Sequence, residues 1–263
     1  MPEIKTLQEH CSYVEGLCRV SFWFAKRWLT EKLPGESVGA LLRAHTPLLY
    51  HALNYPRDAW GTDPECLAIL AEAERHADAS PADFEEAMWA YLAPLAARRA
   101  EMNYPRAVGV SAPASWNCGS LKYDPPSPKL PEGWCTFHIA NAVFPQSIFD
   151  IPDYLPYCLL LLMRESEIRF GSRILYTSTW LNCRPDFLAY FPQEWQDNLE
   201  PLPGTPPIPS WHFGWWGQLV TGRGTINPRA ERFVRENGYL RHVCRSSHCS
   251  YENLRRHLKE EYL

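Results

Sequence analysis

No run in this 263-residue sequence is long and apolar enough to span a bilayer. The most apolar one, Tyr154 to Met163, falls far short of the ~20 residues a membrane helix needs. An excess of positive charge is missing too. With 26 Lys and Arg against 30 Asp and Glu, the net charge is −4, and nothing draws the chain as a whole to polyphosphate or anionic lipid. The basic residues that do gather, from Arg229 to Arg256, are interrupted by Glu231, Glu236 and Glu252, as on solvated helical faces. Neither nucleic acid nor a membrane is an expected partner. No signal peptide is expected, because Met1 to Lys5 leads straight into an amphipathic pattern. Nine Cys occur, but without the paired short spacings of a disulfide framework, which favours reduced thiols and a cytoplasmic location.

Reaction-specific motifs are also lacking. There is no G-x-S-x-G elbow, phosphate-binding glycine loop, H-E-x-x-H or dinucleotide fingerprint. Chemistry dependent on ATP or NAD is therefore disfavoured.

What is present is a chain with 46% hydrophobic residues, enough for a sizeable core. Its first ~105 residues read as helical. Ile4, Leu7, Cys11, Val14 and Cys18 recur at steps of three and four until Pro34-Gly35 stops the pattern. A second helix is expected from Ser37 to about Asn54, kinked near Pro47. A third follows the cap at Thr62-Asp63-Pro64-Glu65. A fourth runs from Ser80-Pro81 towards Arg99, bent at Pro94. Prolines then become dense, with 17 of the 24 from Pro105 onward, and short strands are expected at Ala107 to Val110, Ser120 to Tyr123 and Gly133 to Ile139. A buried helix should run from Asp150-Ile151-Pro152-Asp153 to Phe170-Gly171. A strand is expected from Ile174 to Leu181, with helices starting at Pro185, Asn227-Pro228 and Ser250. The expected class is α+β, mainly α. A helical part, 1–105, packs on a mixed part, 106–263, that carries a small sheet, the two sharing one core.

Two segments are candidate walls of a small-molecule pocket. Ser210 to Gln218 holds three of the 11 Trp, His212 and an amide, and Trp134 to Asn141 has the same character. On an alternating strand, Cys135, Phe137 and Ile139 point one way and Thr136, His138 and Ala140 the other, which puts His138 off the apolar face. That argues against a direct dyad between Cys135 and His138. A core histidine bonded to a carbonyl is the plainer alternative for His138, and an aromatic-packed structural histidine for His212. Thr177 to Asn182 supplies three hydroxyls, the indole donor of Trp180 and the amide of Asn182. Arg223, in a Gly-Arg-Gly turn, can clamp a carboxylate or simply be exposed. His242, Cys244, His248, Cys249 and His257 crowd near the end, but the spacing matches no paired zinc signature.

Three short motifs stand out together: Phe137-His138-Ile139-Ala140-Asn141, Thr179-Trp180-Leu181-Asn182 with Phe191-Pro192, and Trp216-Gly217-Gln218 followed by Arg223-Gly224. In these the chain is similar to an uncharacterised group of bacterial proteins over residues 134–237. No activity attaches to that group, so the resemblance implies no function.

The reading that follows is an enzyme, a lyase, isomerase or hydrolase without a nucleotide cofactor. It would use His138 and His212 as an acid–base pair for elimination, isomerisation, cyclisation or hydrolysis. Asn141, Asn182 and Gln218 would bond substrate oxygens, Arg223 an anionic group, and Trp180, Trp215 and Trp216 would stack on the substrate. No cofactor is expected. The alternatives are a single Fe or Zn ion held by the same two histidines with Glu165 or Glu167, a non-catalytic binder of a hydrophobic small molecule, and a zinc-stiffened scaffold.

Overall fold

A computed structural model describes residues 5–108, 117–143 and 146–262. The chain is α+β and mainly α, and it divides into two compact units: 1–109 with 204–243, and 110–203 with 244–263. Among the described residues no helix is long and apolar enough to cross a membrane.

The first unit begins with α1, Leu7–Glu31, capped by Thr6 and Glu9, each accepting from the other's backbone N–H. α2, Val38–His45, is capped by Ser37, and a π-turn follows at Leu48–Ala52. The expected kink at Pro47 is thus a complete break, because proline has no N–H to continue the ladder. α3, Pro64–Arg75, starts at Asp63, whose carboxylate accepts from Glu65 and Cys66. α4, Pro81–Val108, carries Pro94 and Pro105 inside it and runs beyond the expected end at Arg99. The strand expected at Ala107 to Val110 is therefore overturned for Ala107 and Val108. The other two residues lie outside the described ones. Packing on α1 decides this over local propensity.

The second unit opens with β1, Asn117–Cys118, β2, Leu121–Tyr123, and β3, Trp134–Ile139. Next come α5, Tyr154–Phe170, closed by Gly171 in the left-handed region, and β4, Ile174–Thr179. The strand expected to reach Leu181 stops at Thr179 and tightens into a 3₁₀ turn at Trp180–Cys183. Two short helices follow, α6, Pro185–Leu188, and α7, Gln193–Asp197.

The chain then contributes α8, Phe213–Trp216, and α9, Pro228–Asn237, to the first unit. The expected undivided part 106–263 is thus interrupted. The physical reason is aromatic. Trp216 and Leu219 bury their side chains with Val20 and Phe24 of α1, Phe213 packs against them, and the Phe24 and Trp216 rings meet edge to face at 5.0 Å. The second unit closes with β5, Arg245–Ser250, and α10, Tyr251–Glu261. β5 occupies what the sequence presents as a His/Cys-rich connection.

The sheet order is β1-β2-β3-β4-β5, antiparallel except for the β3–β4 pair, which α5 joins as a crossover. One face is core: Leu121, Tyr123, Cys135, Phe137, Leu175 and Cys249 cluster with Leu155, Leu159, Leu162 and Met163 of α5 and with Leu254 and Leu258 of α10. The opposite face carries Lys122, Thr136, His138, Tyr176, Ser178 and His248, none of them buried.

Candidate functional site

On that opposite face the side chains form a row across the strands. β3 alternates as expected, with Cys135 and Phe137 buried and His138 exposed. Lys122 of β2 lies directly across from His138. Two residues on, the Asp124 backbone N–H donates to the Thr136 carbonyl, which holds its side chain beside the imidazole. His138 Nε2 lies 2.6 Å from Asp124 Oδ2. That hydrogen bond is the main reason the Asp124 carboxyl is held below its ordinary value, with His138 and Lys122 adding charge attraction against partial burial.

On the other flank, β3 and β4 run in register through Trp134–Ile174, Cys135–Leu175 and Thr136–Tyr176. There the backbone ladder ends. The Thr177 hydroxyl takes over by donating to the Phe137 carbonyl at 2.8 Å, on the core side. One step further along both strands come His138 and Ser178, on the open face at the carboxyl ends of the two parallel strands. Carried one residue past the Thr177–Phe137 bond, the β3–β4 register sets His138 and Ser178 at the same level of the two strands. Ser178 Oγ lies 3.3 Å from Cys244 Sγ. Burial pushes the Cys244 thiol up to about 11, so near neutrality it is a protonated thiol rather than a thiolate. Further back, Tyr176 lies two residues before Ser178 and Trp134 four before His138; their ring centroids are 5.7 Å apart, and the His248 ring of β5 sits 4.5 Å from that of Trp134. An aromatic shelf thus lies beside a polar row of Asp124, His138 and Ser178.

The expected site residues are distributed as follows. His138, Asn141, Trp180 and Asn182 belong to the second unit; His212, Trp215, Trp216, Gln218 and Arg223 belong to the first. Asn141 closes its own turn, donating to the Gln146 carbonyl and accepting from Val143 N–H. Trp180 is half-buried under the Arg184 guanidinium. Asn182 is sealed in the core. Its amide donates to the Arg245 carbonyl at 2.8 Å and its oxygen accepts from the Trp195 indole at 3.1 Å, so it is structural rather than substrate-binding. Gln218 is buried, and its amide bonds Trp215 and His242 backbone groups. Trp216 has no exposed surface and cannot stack on a ligand. Arg223 is exposed, 3.9 Å from Glu9.

His212 caps α8, its Nδ1 accepting from Gly214 N–H at 3.1 Å. Around it, within the first unit, gathers an aromatic cluster that the sequence reading missed. His51, in the π-turn, stacks on Phe213 at 3.6 Å and 7°, and Tyr50, Trp60 and the Arg57 guanidinium surround Trp211. Burial above all, then the nearby His212, pushes the His51 imidazole down to about 3. Its Nε2 is buried without a hydrogen-bond partner.

At the C-terminal cluster, His248 lies on the open face of β5 while Cys249 is buried on the core face, so these two cannot turn to one ion. Among the described residues no three His, Cys, Asp or Glu side chains are grouped to hold a metal.

Asp124 is hidden in the sequence by its context, the proline-rich stretch Asp124-Pro125-Pro126-Ser127-Pro128. Only the antiparallel register of β2 and β3 brings it to His138. No family model, curated protein or solved structure matches this chain.

Proposed function

We propose that the chain is an enzyme acting on a small organic molecule by proton transfer at His138, with Asp124 holding the ring. The supporting observation is the 2.6 Å contact between His138 Nε2 and Asp124 Oδ2 on a face open to solvent. An imidazole with one nitrogen tied to a carboxylate keeps the other for a substrate proton, and the carboxylate stabilises the imidazolium formed when that proton arrives. Elimination, isomerisation, cyclisation and hydrolysis all need such a group. The Trp134–Tyr176 shelf offers apolar surface for the rest of the substrate.

In this reading His138 acts with Asp124 of its own unit, and His212 serves as the cap of α8. The test is untargeted. A cell metabolite extract is incubated with the wild type, His138→Ala and Asp124→Asn, and compared by mass spectrometry. A compound converted by the wild type, not by His138→Ala and at least 10-fold more slowly by Asp124→Asn, supports the reading. Conversion at equal rates by all three proteins overturns it, as does no conversion by any.

A further inference from the structure

We propose that Ser178 is a nucleophile and that the substrate is a carboxylic ester or thioester, cleaved through an acyl-enzyme on the open sheet face. The inference rests on His138 acting as the base.

Three placements carry it. Ser178 and His138 are the first residues beyond the end of the β3–β4 ladder on the open face, and both are exposed. Here β3 and β4 no longer pair with each other, though each stays paired to its outer neighbour, and the carboxyl ends of parallel strands are where ligands generally bind. Asp124, one residue past β2, is hydrogen-bonded to His138 of β3, and the β3–β4 register carried forward sets Ser178 of β4 level with His138 on its other side. Imidazole has two nitrogens, and with Nε2 on Asp124 the other is left for the hydroxyl side. Finally, Cys244 contacts Ser178 Oγ. Either atom can donate in this pair; with the neutral thiol as donor, the serine's own proton is left for His138.

The chemistry balances within these groups. Ser178 Oγ bonds to the carbonyl carbon as its proton passes to His138. The carbonyl oxygen becomes an oxyanion, and Lys122, across from His138 on the same face, supplies a positive charge to that face. The intermediate collapses, and the bond to the leaving oxygen or sulfur breaks. His138 returns the proton to that atom, releasing an alcohol or thiol. Water then attacks the Ser178 ester with its proton going to His138, and collapse gives the carboxylic acid and regenerates the serine hydroxyl. Tyr176, two residues or about 6.6 Å along β4 from Ser178, places the aromatic shelf where the acyl or leaving group lies.

The test uses a fluorophosphonate probe, which transfers its phosphonyl group to an activated serine and expels fluoride. The full-length protein is labelled at pH 7.5 and the modified peptide mapped. Phosphonylation of Ser178, absent in Ser178→Ala and slowed at least 100-fold in His138→Ala, supports the proposal. Asp124 is a positioning residue. Asp124→Asn should slow labelling about 10-fold and move its pH profile, and Asp124→Glu should restore part of the rate. These side chains lie on the open face, so melting temperature serves as the folding control.

No adduct, or an adduct at another serine, overturns Ser178 as nucleophile. An iodoacetamide-sensitive adduct at Cys244 overturns it in favour of the thiol. Labelling of Ser178 at an unchanged rate in His138→Ala overturns the assigned base. If the metabolite experiment still shows conversion dependent on His138 while the probe fails, the nucleophile is wrong and the acid–base reading stands.

Discussion

The hydroxyl of Thr177 donates to the carbonyl of Phe137 just where the backbone pairing of β3 and β4 ends. That one side-chain bond keeps the strands together on the core side. Beyond it His138 and Ser178 emerge on the opposite face. Thr177→Val, nearly isosteric, removes the donor and leaves a buried carbonyl short of a partner, which costs about 1–3 kcal/mol. Urea denaturation should show that loss. Phosphonylation of Ser178 should slow as well, because the strand ends lose their tie.

The Asp124 carboxyl is held low chiefly by its hydrogen bond to His138. His138→Ala should therefore raise the Asp124 carboxyl towards its ordinary value, measured by carbon-detected NMR titration. A depressed carboxylate adds stability that is present above its unfolded-state value and lost as pH falls through the folded one. Removing His138 should abolish that acid-side contribution. Both side chains are more than a third exposed, so the change in stability itself will be small.

His51 and His10 act in the same sense, over a higher pH range. Burial pushes His51 down to about 3 and His10 down to about 4, and the buried nitrogens His51 Nε2 and His10 Nδ1 and Nε2 have no hydrogen-bond partner. Between pH 4 and 6.5 the unfolded chain binds protons at these rings that the folded chain refuses. Stability therefore falls as pH drops, by up to about 1.4 kcal/mol per pH unit for each ring. His51→Gln and His10→Gln should each flatten the curve of unfolding free energy against pH in that window.

Trp216 fills the core against Phe24, and its indole N–H is buried without a partner. Trp216→Ala should cost about 3–5 kcal/mol. Trp216→Phe keeps a ring and removes the orphan donor, so it should cost far less. Chemical denaturation separates the two.

Asn182→Ala leaves the Trp195 indole and the Arg245 carbonyl unsatisfied, at about 1–3 kcal/mol for each. It should melt early. Arg223→Ala, on an exposed turn, should change stability by less than about 0.5 kcal/mol.

Much of the fold was legible along the chain because the signals are local. Asp63-Pro64, Asn227-Pro228 and Ser250 cap helices through their own side chains, and Gly171 ends α5 in the left-handed region that glycine enters without strain. The alternation around His138 is likewise a property of six consecutive residues. β5 escaped because Arg245 to Ser250 is polar on both faces. Its strand character comes from pairing with all six residues of β4, a contact some 70 residues away in sequence. The Trp-rich segment misled for a related reason. Indoles that can line a pocket can equally fill a core, and composition does not distinguish the two.

The residues by themselves determined where the capped helices start and that His138 faces away from the apolar side of its strand, since caps and periodicity act within a few positions; where α4 stops was decided by packing. Only the tertiary structure decided that Asp124 reaches that histidine, that Trp216, Asn182 and Gln218 are enclosed, and that 204–243 fold with the N-terminal helices. Each of these follows from strand register or from which buried surface an aromatic side chain finds, and such partners lie far apart along the chain.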